Sequence, residues 1–276
     1  MSPFGMAIVV PTLELFANEF QSSYSIIQFI ISAYLFGLAI SQPFMGFLSD
    51  KLGRKPVMIS GIILFIIASY ICMTSETLST LIIARLFQGV GASVGTVTSR
   101  AIIRDSYSGD EAAKSLSRVT ATMGMAPMIA PVVGAIALSI LRSPSGIFLI
   151  TLLIGFFILI PVIFFLPETV IKGDPERAQT AWYKNYYKLL RSEIFVGSTF
   201  IYGFTTGSFF AILAVGSTVF SRDLGIDSTG FGLVWSSLTI LYASASFFAG
   251  NLTARIAVSY THLRAHETKA NLVCRL

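Results

Sequence analysis

Eight apolar runs, near residues 3–20, 26–48, 57–75, 78–99, 119–141, 146–166, 194–220 and 230–252, limit what this chain can become. The hydrocarbon core of a bilayer is about 30 Å thick and a helix rises about 1.5 Å per residue, so roughly 20 apolar residues span it. Lipid offers the backbone no hydrogen-bond partners, and the runs lack the alternation of a barrel strand. Helices are therefore expected throughout. Composition agrees: 12% of residues are charged and mean hydropathy is +0.76, whereas a soluble domain carries about 25% charged residues. The expected class is an all-α, multi-pass membrane protein. Its start lacks a basic region and a small-residue cleavage site, so no cleavable leader is expected and the first run serves as the address.

A net charge of +5 raises the possibility of nucleic-acid binding, but the bases follow topology. Lys51, Arg54, Lys55, Arg100, Arg104, Lys114, Arg118, Lys172, Arg177, Lys184, Lys188 and Arg191 fall in alternate connections, and the opposite connections hold only Arg142 and Arg222. That asymmetry places the N-terminus and the connections around 51–56, 100–118 and 167–193 in the cytoplasm. No soluble module is left to present a basic patch to nucleic acid.

The last residues differ from the rest. His262, His266 and Cys274 all lie there, yet Val258 to Thr268 resembles one reading frame of a transposon-end adapter used in sequencing libraries. Residues 258–276 are therefore expected to be an artefactual tail and are set aside from fold reasoning. Without them the chain has no histidine, and Cys72 sits in an apolar run where it reads as packing. Neither imidazole chemistry, nor a metal site, nor a disulfide is expected.

The longest connection, 167–193, opens with Leu166-Pro167-Glu168-Thr169 and divides six runs from two. Its stretch from Ala181 to Arg191 alternates aromatics with bases, which suits either an interfacial surface helix or a solvated linker. The expected organisation is a six-helix bundle over 1–166, a central cytoplasmic loop over 167–193, a partial second bundle of two helices over 194–257, and the tail.

Three motifs carry chemistry. Between runs two and three, Gly46-Phe-Leu-Ser-Asp50-Lys51-Leu-Gly53-Arg54-Lys55 packs an acid, three bases and two glycines into a tight turn. Glycine permits the turn and a close approach of the helices. Asp50 can accept from the N–H groups of a neighbouring helix start or pair with a guanidinium, and both interactions can be broken and remade. The bases Arg54 and Lys55 can also bind lipid headgroups.

In run four, Leu81-Ile-Ile-Ala-Arg85-Leu-Phe-Gln88-Gly89-Val-Gly91 places a guanidinium inside a membrane segment. Insertion scales put the cost near 2.5–3.5 kcal/mol, so Arg85 is a functional candidate, although it could instead snorkel to the interface. Gly91 and Gly95 form a small-xxx-small face. Run five contains Gly124, Pro127, Pro131 and Gly134, a pattern for a bent, closely packed helix. In run one Glu14 is the only acid within a span. Desolvation there would let it load protons near working pH; at the outer interface it would be solvated.

The turn from Gly46 to Lys55 resembles the signature between spans 2 and 3 of the major facilitator superfamily. Run four resembles the motif in which an arginine is linked to proton coupling. Run five resembles the antiporter motif of the drug-exporting branch, with Ala130 and Ala135 in glycine positions. Arg100 to Tyr107, Leu166 to Thr169, Gly216-Ser217, Phe231-Gly232-Leu233 and Asn251 add a likeness to the Bcr/CflA, bicyclomycin-resistance type of multidrug efflux transporter. That type often carries an aspartate in span 1, where this chain has Ala7.

The resemblance implies a complete six-helix N-terminal half and the first two helices of the C-terminal half. It implies proton-driven antiport of drug-like small molecules by alternating access, with no cofactor, a monomer, and the bacterial inner membrane as location. On that reading Asp50 and Arg104 form the cytoplasmic gate pair within Gly46, Gly53, Arg54 and Lys55. Arg85 and Glu14 serve coupling, and Gly124, Pro127, Pro131 and Gly134 form the antiport helix. Three alternatives remain: a proton-coupled uptake symporter, for which the double proline is unexpected; a membrane enzyme, which lacks a nucleophile–base pair at depth; and a sensor or scaffold, which leaves Arg85 unexplained.

Overall fold

The computed structural model describes residues 1–170 and 187–223, with isolated positions up to 245. The bulk of the central connection, the eighth run as an element, Phe231 to Leu233, Asn251 and the tail with His262, His266 and Cys274 lie outside the described residues.

Helices account for the regular structure of the described residues. They are α1 (Ser2–Ala7), a 3₁₀ turn (Val10–Thr12), α2 (Leu13–Glu19), α3 (Tyr24–Ile27), α4 (Phe29–Leu52), α5 (Arg54–Met73), α6 (Leu78–Ser106), α7 (Gly109–Leu141), a second 3₁₀ turn (Pro144–Gly146), α8 (Ile147–Phe165) and α9 (Glu193–Asp223). Among the described residues five segments are long and apolar enough to cross a membrane: Tyr24–Leu52, Arg54–Met73, Leu78–Ser106, Glu111–Leu141 and Pro144–Phe165. They correspond to the second through sixth apolar runs.

The first run departs from expectation, because it is three short pieces rather than one helix. Pro11 cannot donate a backbone hydrogen bond. Thr12 turns the chain instead, its N–H and its hydroxyl both donating to the Val9 carbonyl at 3.0 and 2.8 Å. The break does not expel the segment from the core: Ala7, Ile8, Val9, Leu13 and Phe16 are buried.

At the centre of the bundle α6 packs against both α4 and α5, and α5 packs in turn on α8. Glycine makes the α6 contacts possible. A Cβ on Gly89 would collide with the Tyr34 carbonyl of α4, and one on Gly91 would sit 2.6 Å from the Phe65 nitrogen of α5. Gly95, by contrast, has open space where its Cβ would be. The small-residue interface therefore runs through Gly89 and Gly91, on two faces of α6, and not through the expected Gly91–Gly95 stripe. The described outer faces carry apolar residues such as Phe156, Phe157, Phe164 and Phe165 of α8, as a lipid-facing surface requires.

α7 runs as one helix through Pro127 and Pro131. It packs mainly on α1 and the first 3₁₀ turn. Gly134 is buried there, and a Cβ on it would lie 2.5 Å from the Ile8 carbonyl.

Candidate functional site

Two polar constellations occupy the bundle, one at an end and one in the core. The end cluster forms where α4 finishes, α5 starts, α6 finishes and α8 exits. Gly53 separates α4 from α5 with φ 107° and ψ 154°, a region open essentially to glycine alone. That single-residue turn brings Arg54 back under α4. Its guanidinium, 4% exposed, pairs through Nη1 with Asp50 Oδ1 at 2.5 Å and donates to Ser49 Oγ at 2.7 Å, and its Nε donates to Asp105 Oδ2 at 2.9 Å. Ser49 Oγ donates onward to the Gly46 carbonyl at 2.9 Å.

Glu168, beyond the end of α8, closes the cluster. Pro167 stops α8, with Leu166 already extended, and the chain folds across the start of α5. The Glu168 carboxylate accepts from the backbone N–H of Arg54 at 2.9 Å (Oε1) and of Lys55 at 3.2 Å (Oε2), while the Val170 N–H donates to Oε1 at 3.0 Å. An anion at a helix N-terminus is favourable because the first N–H groups lack partners. Partial burial raises the Glu168 pKa, but these backbone donations outweigh it and hold the carboxyl below the ordinary glutamate range. A Cβ on Gly53 would lie 2.5 Å from Glu168 Oε2, a second reason for glycine there.

The sequence reading placed Gly46, Asp50, Gly53, Arg54 and Lys55 together, and the structure does the same. It does not pair Asp50 with Arg104. Arg104 is exposed, and Arg54, four residues from Asp50 across the turn, reaches that carboxylate. The α6 side chain that turns inward is the neighbouring Asp105, an acid where a base was expected. The capping role foreseen for Asp50 falls to Glu168.

The core constellation is built on Arg85, which is 0% exposed and so does not snorkel. Its Nε donates to the Ile30 carbonyl of α4 at 3.1 Å, and Nη1 donates to the Gly5 carbonyl of α1 at 2.9 Å and to Gln88 Oε1 at 2.5 Å. Tyr34 and Phe148 place ring centroids 4.3 and 5.8 Å from the guanidinium carbon. Gln88 Nε2 extends the network to Ser69 Oγ of α5 at 2.7 Å and Thr151 Oγ1 of α8 at 3.2 Å. Among the described residues Nη2 has no hydrogen-bond partner and no carboxylate pairs with Arg85.

Glu14 is exposed in the first turn of α2 and makes no link to this network. On α7, Pro127 and Gly134 are buried while Gly124 and Pro131 are partly buried. Spaced three to four apart, these four share a face.

The sequence carries one further observation. A family model described as Major Facilitator Superfamily matches residues 1–263. The chain belongs to the major facilitator superfamily. It is 32% identical over 253 residues to an "Uncharacterized MFS-type transporter YdgK" of Bacillus subtilis, covering 91% of this chain and 63% of the relative. It is 27% identical over 248 residues to a "Bicyclomycin resistance protein homolog" of Haemophilus influenzae, with 88% and 62% covered. The fold matches the crystal structure of the human organic anion transporter MFSD10 with a TM-score of 0.63 at 18% identity, over 86% of this chain and 61% of that one. The chain thus spans somewhat under two thirds of the length of these relatives, two of which are named as transporters.

Within this major facilitator fold, sequence reasoning missed Asp105, Glu168, Ser69 and Thr151. Asp105 and Glu168 stood inside quoted motifs without a role. Ser69 and Thr151 carried no local signal, since a lone hydroxyl in a membrane helix usually bonds its own backbone.

Proposed function

We propose that this protein exports small, amphipathic, drug-like molecules across a bacterial cytoplasmic membrane in exchange for protons, as a monomer of the Bcr/CflA type without a cofactor. Its N-terminus is cytoplasmic, and two helix bundles alternate access to a central site. The observation that carries this reading is the end cluster. A nearly buried arginine is shared between acids of two helices while a third segment caps the adjoining helix start, so the ends of α4, α5, α6 and α8 are held by charge-assisted bonds in addition to apolar packing. Such bonds re-form after breaking, as a gate on the cytoplasmic side must.

The buried cation Arg85 fits the coupling step, since its field biases protonation of any carboxyl brought near it. The likeness to a bicyclomycin-resistance relative supports drug-like substrates.

Expression of the whole gene with Asp50→Ala in a drug-sensitive bacterium tests the reading. The variant should insert normally and lose drug resistance and drug-dependent proton movement in vesicles. Retained export removes the gate role, and substrate accumulation in place of efflux gives the uptake alternative.

A further inference from the structure

We propose that Ser69 and Thr151 are positioning residues for Arg85, acting through Gln88: by having only acceptor capacity left, they fix which end of the Gln88 amide faces the guanidinium. The argument is a count of protons. Each hydroxyl has one proton to give. Ser69 gives its own to the Phe65 carbonyl at 2.7 Å, and Thr151 gives its own to the Phe148 carbonyl at 2.8 Å. What both oxygens then offer to the core is lone pairs. Only the NH₂ end of Gln88 can satisfy them, and it does, at 2.7 and 3.2 Å. The carbonyl end is thereby turned toward Arg85, which can only donate.

An amide turned over would set NH₂ against guanidinium and oxygen against oxygen, with every group sealed from water. In a site of low dielectric an unpaired polar group costs far more than at a surface, so the reversed state is excluded as long as both hydroxyls stay committed. Directionality thus passes from the carbonyls of α5 and α8, through two hydroxyls and one amide, to the cation on α6. Arg85 donates in turn to the carbonyls of Gly5 in α1 and Ile30 in α4. Five helices are therefore linked through one guanidinium and the amide beside it, and the orientation of the guanidinium is set from helices other than its own.

The functional part of this inference rests on the reading of Arg85 as the coupling residue, and the test separates the two. The chain is labelled with ¹⁵N-arginine in lipid nanodiscs, and the guanidinium signal of Arg85 is assigned by its loss in Arg85→Lys. Proton exchange of that signal is compared between the native chain, Thr151→Ser, and the double variant Ser69→Ala with Thr151→Val. In parallel, the pH profile of substrate-driven proton flux is measured on the whole transporter carrying the same changes.

The double variant should exchange about tenfold faster, the scale of one lost hydrogen bond, and its pH profile should shift. Thr151→Ser should behave as the native protein in both. Unchanged exchange in the double variant overturns the inference whatever transport does. Faster exchange with an unmoved pH profile reduces the pair to a structural brace and overturns the positioning role. If the native transporter moves no protons, the proposed function fails, and the exchange rates alone decide whether Ser69 and Thr151 orient Arg85.

Discussion

Arg54 and Arg85 are both nearly enclosed arginines of the same bundle, yet their surroundings differ in kind. Arg54 faces two carboxylates, one of them half exposed, with side-chain exposures of 52% for Asp50 and 11% for Asp105. Arg85 faces carbonyls, an amide and two rings, with no acid among the described residues. Where water can reach the partners, an ion pair is held loosely, because each ion regains solvation when the pair opens. Where it cannot, neutral acceptors hold the cation in place and opening strands every group at once. One arginine is built to let go and the other to stay.

Breaking the core arginine should therefore have the largest effect. Arg85→Leu leaves Gln88 Oε1 without its donor and takes a second donor from the Ile30 and Gly5 carbonyls, so at roughly 1 kcal/mol or more for a buried orphan the loss should be about 1–3 kcal/mol. It is read as lowered resistance to unfolding in mild detergent. Cys72, buried in the same hydrophobic cluster, gives a local readout. With Cys274 replaced by Ser, maleimide should label Cys72 faster in Arg85→Leu and not in Asp50→Asn. Equal labelling of both variants would erase the distinction between the two regions.

The next comparison lies inside the end cluster. Asp105→Asn should cost about 2 kcal/mol and Asp50→Asn less than about 1 kcal/mol, because Asp105 is the more enclosed partner of Arg54. Raised salt should narrow the effect of the Asp50 change and leave the Asp105 change almost untouched. The reverse order in the same unfolding measurement would make the exposed pair the principal hold on Arg54.

How far the sequence reaches follows the same division. Spans two to six were legible because a membrane helix is a matter of length and apolarity alone. In the turn from Gly46 to Lys55 the residues stood out as a group, but the pairing of Arg54 with Asp50 and Ser49 did not, although they lie at most five residues apart, because a base at a membrane turn is explained by topology alone. Arg85 with Gln88 is as local, a spacing of three on one helix face, yet only Arg85 stood out in the sequence. Asp105 was lost to its neighbour Arg104, since adjacent residues on a helix point about 100° apart and the phase of α6 against α5 is set by packing. The break at Pro11 was not foreseen, because apolarity alone does not distinguish a continuous span from one interrupted and buried by its neighbours. Glu168 lies 114 residues from the amide it accepts from, and no local pattern encodes such a contact.

That distant cap yields the smallest effect and the one with a defined sign. Glu168→Gln keeps the shape and removes the charge, so it should cost about 0.3–1 kcal/mol at neutral pH, the scale of an anion at a helix start. The folded carboxyl titrates below the ordinary range because backbone donors favour its charged form. A group of depressed pKa adds stability above its unfolded value and loses it as pH falls through the folded one. The gap between native chain and Glu168→Gln should thus be level near neutrality and close on acidification below about pH 4. Unfolding midpoints across that window read it directly. A gap that widened toward acid would mean the protonated carboxyl is the stabilising form, and Glu168 would then not be the counter-charge of the α5 start.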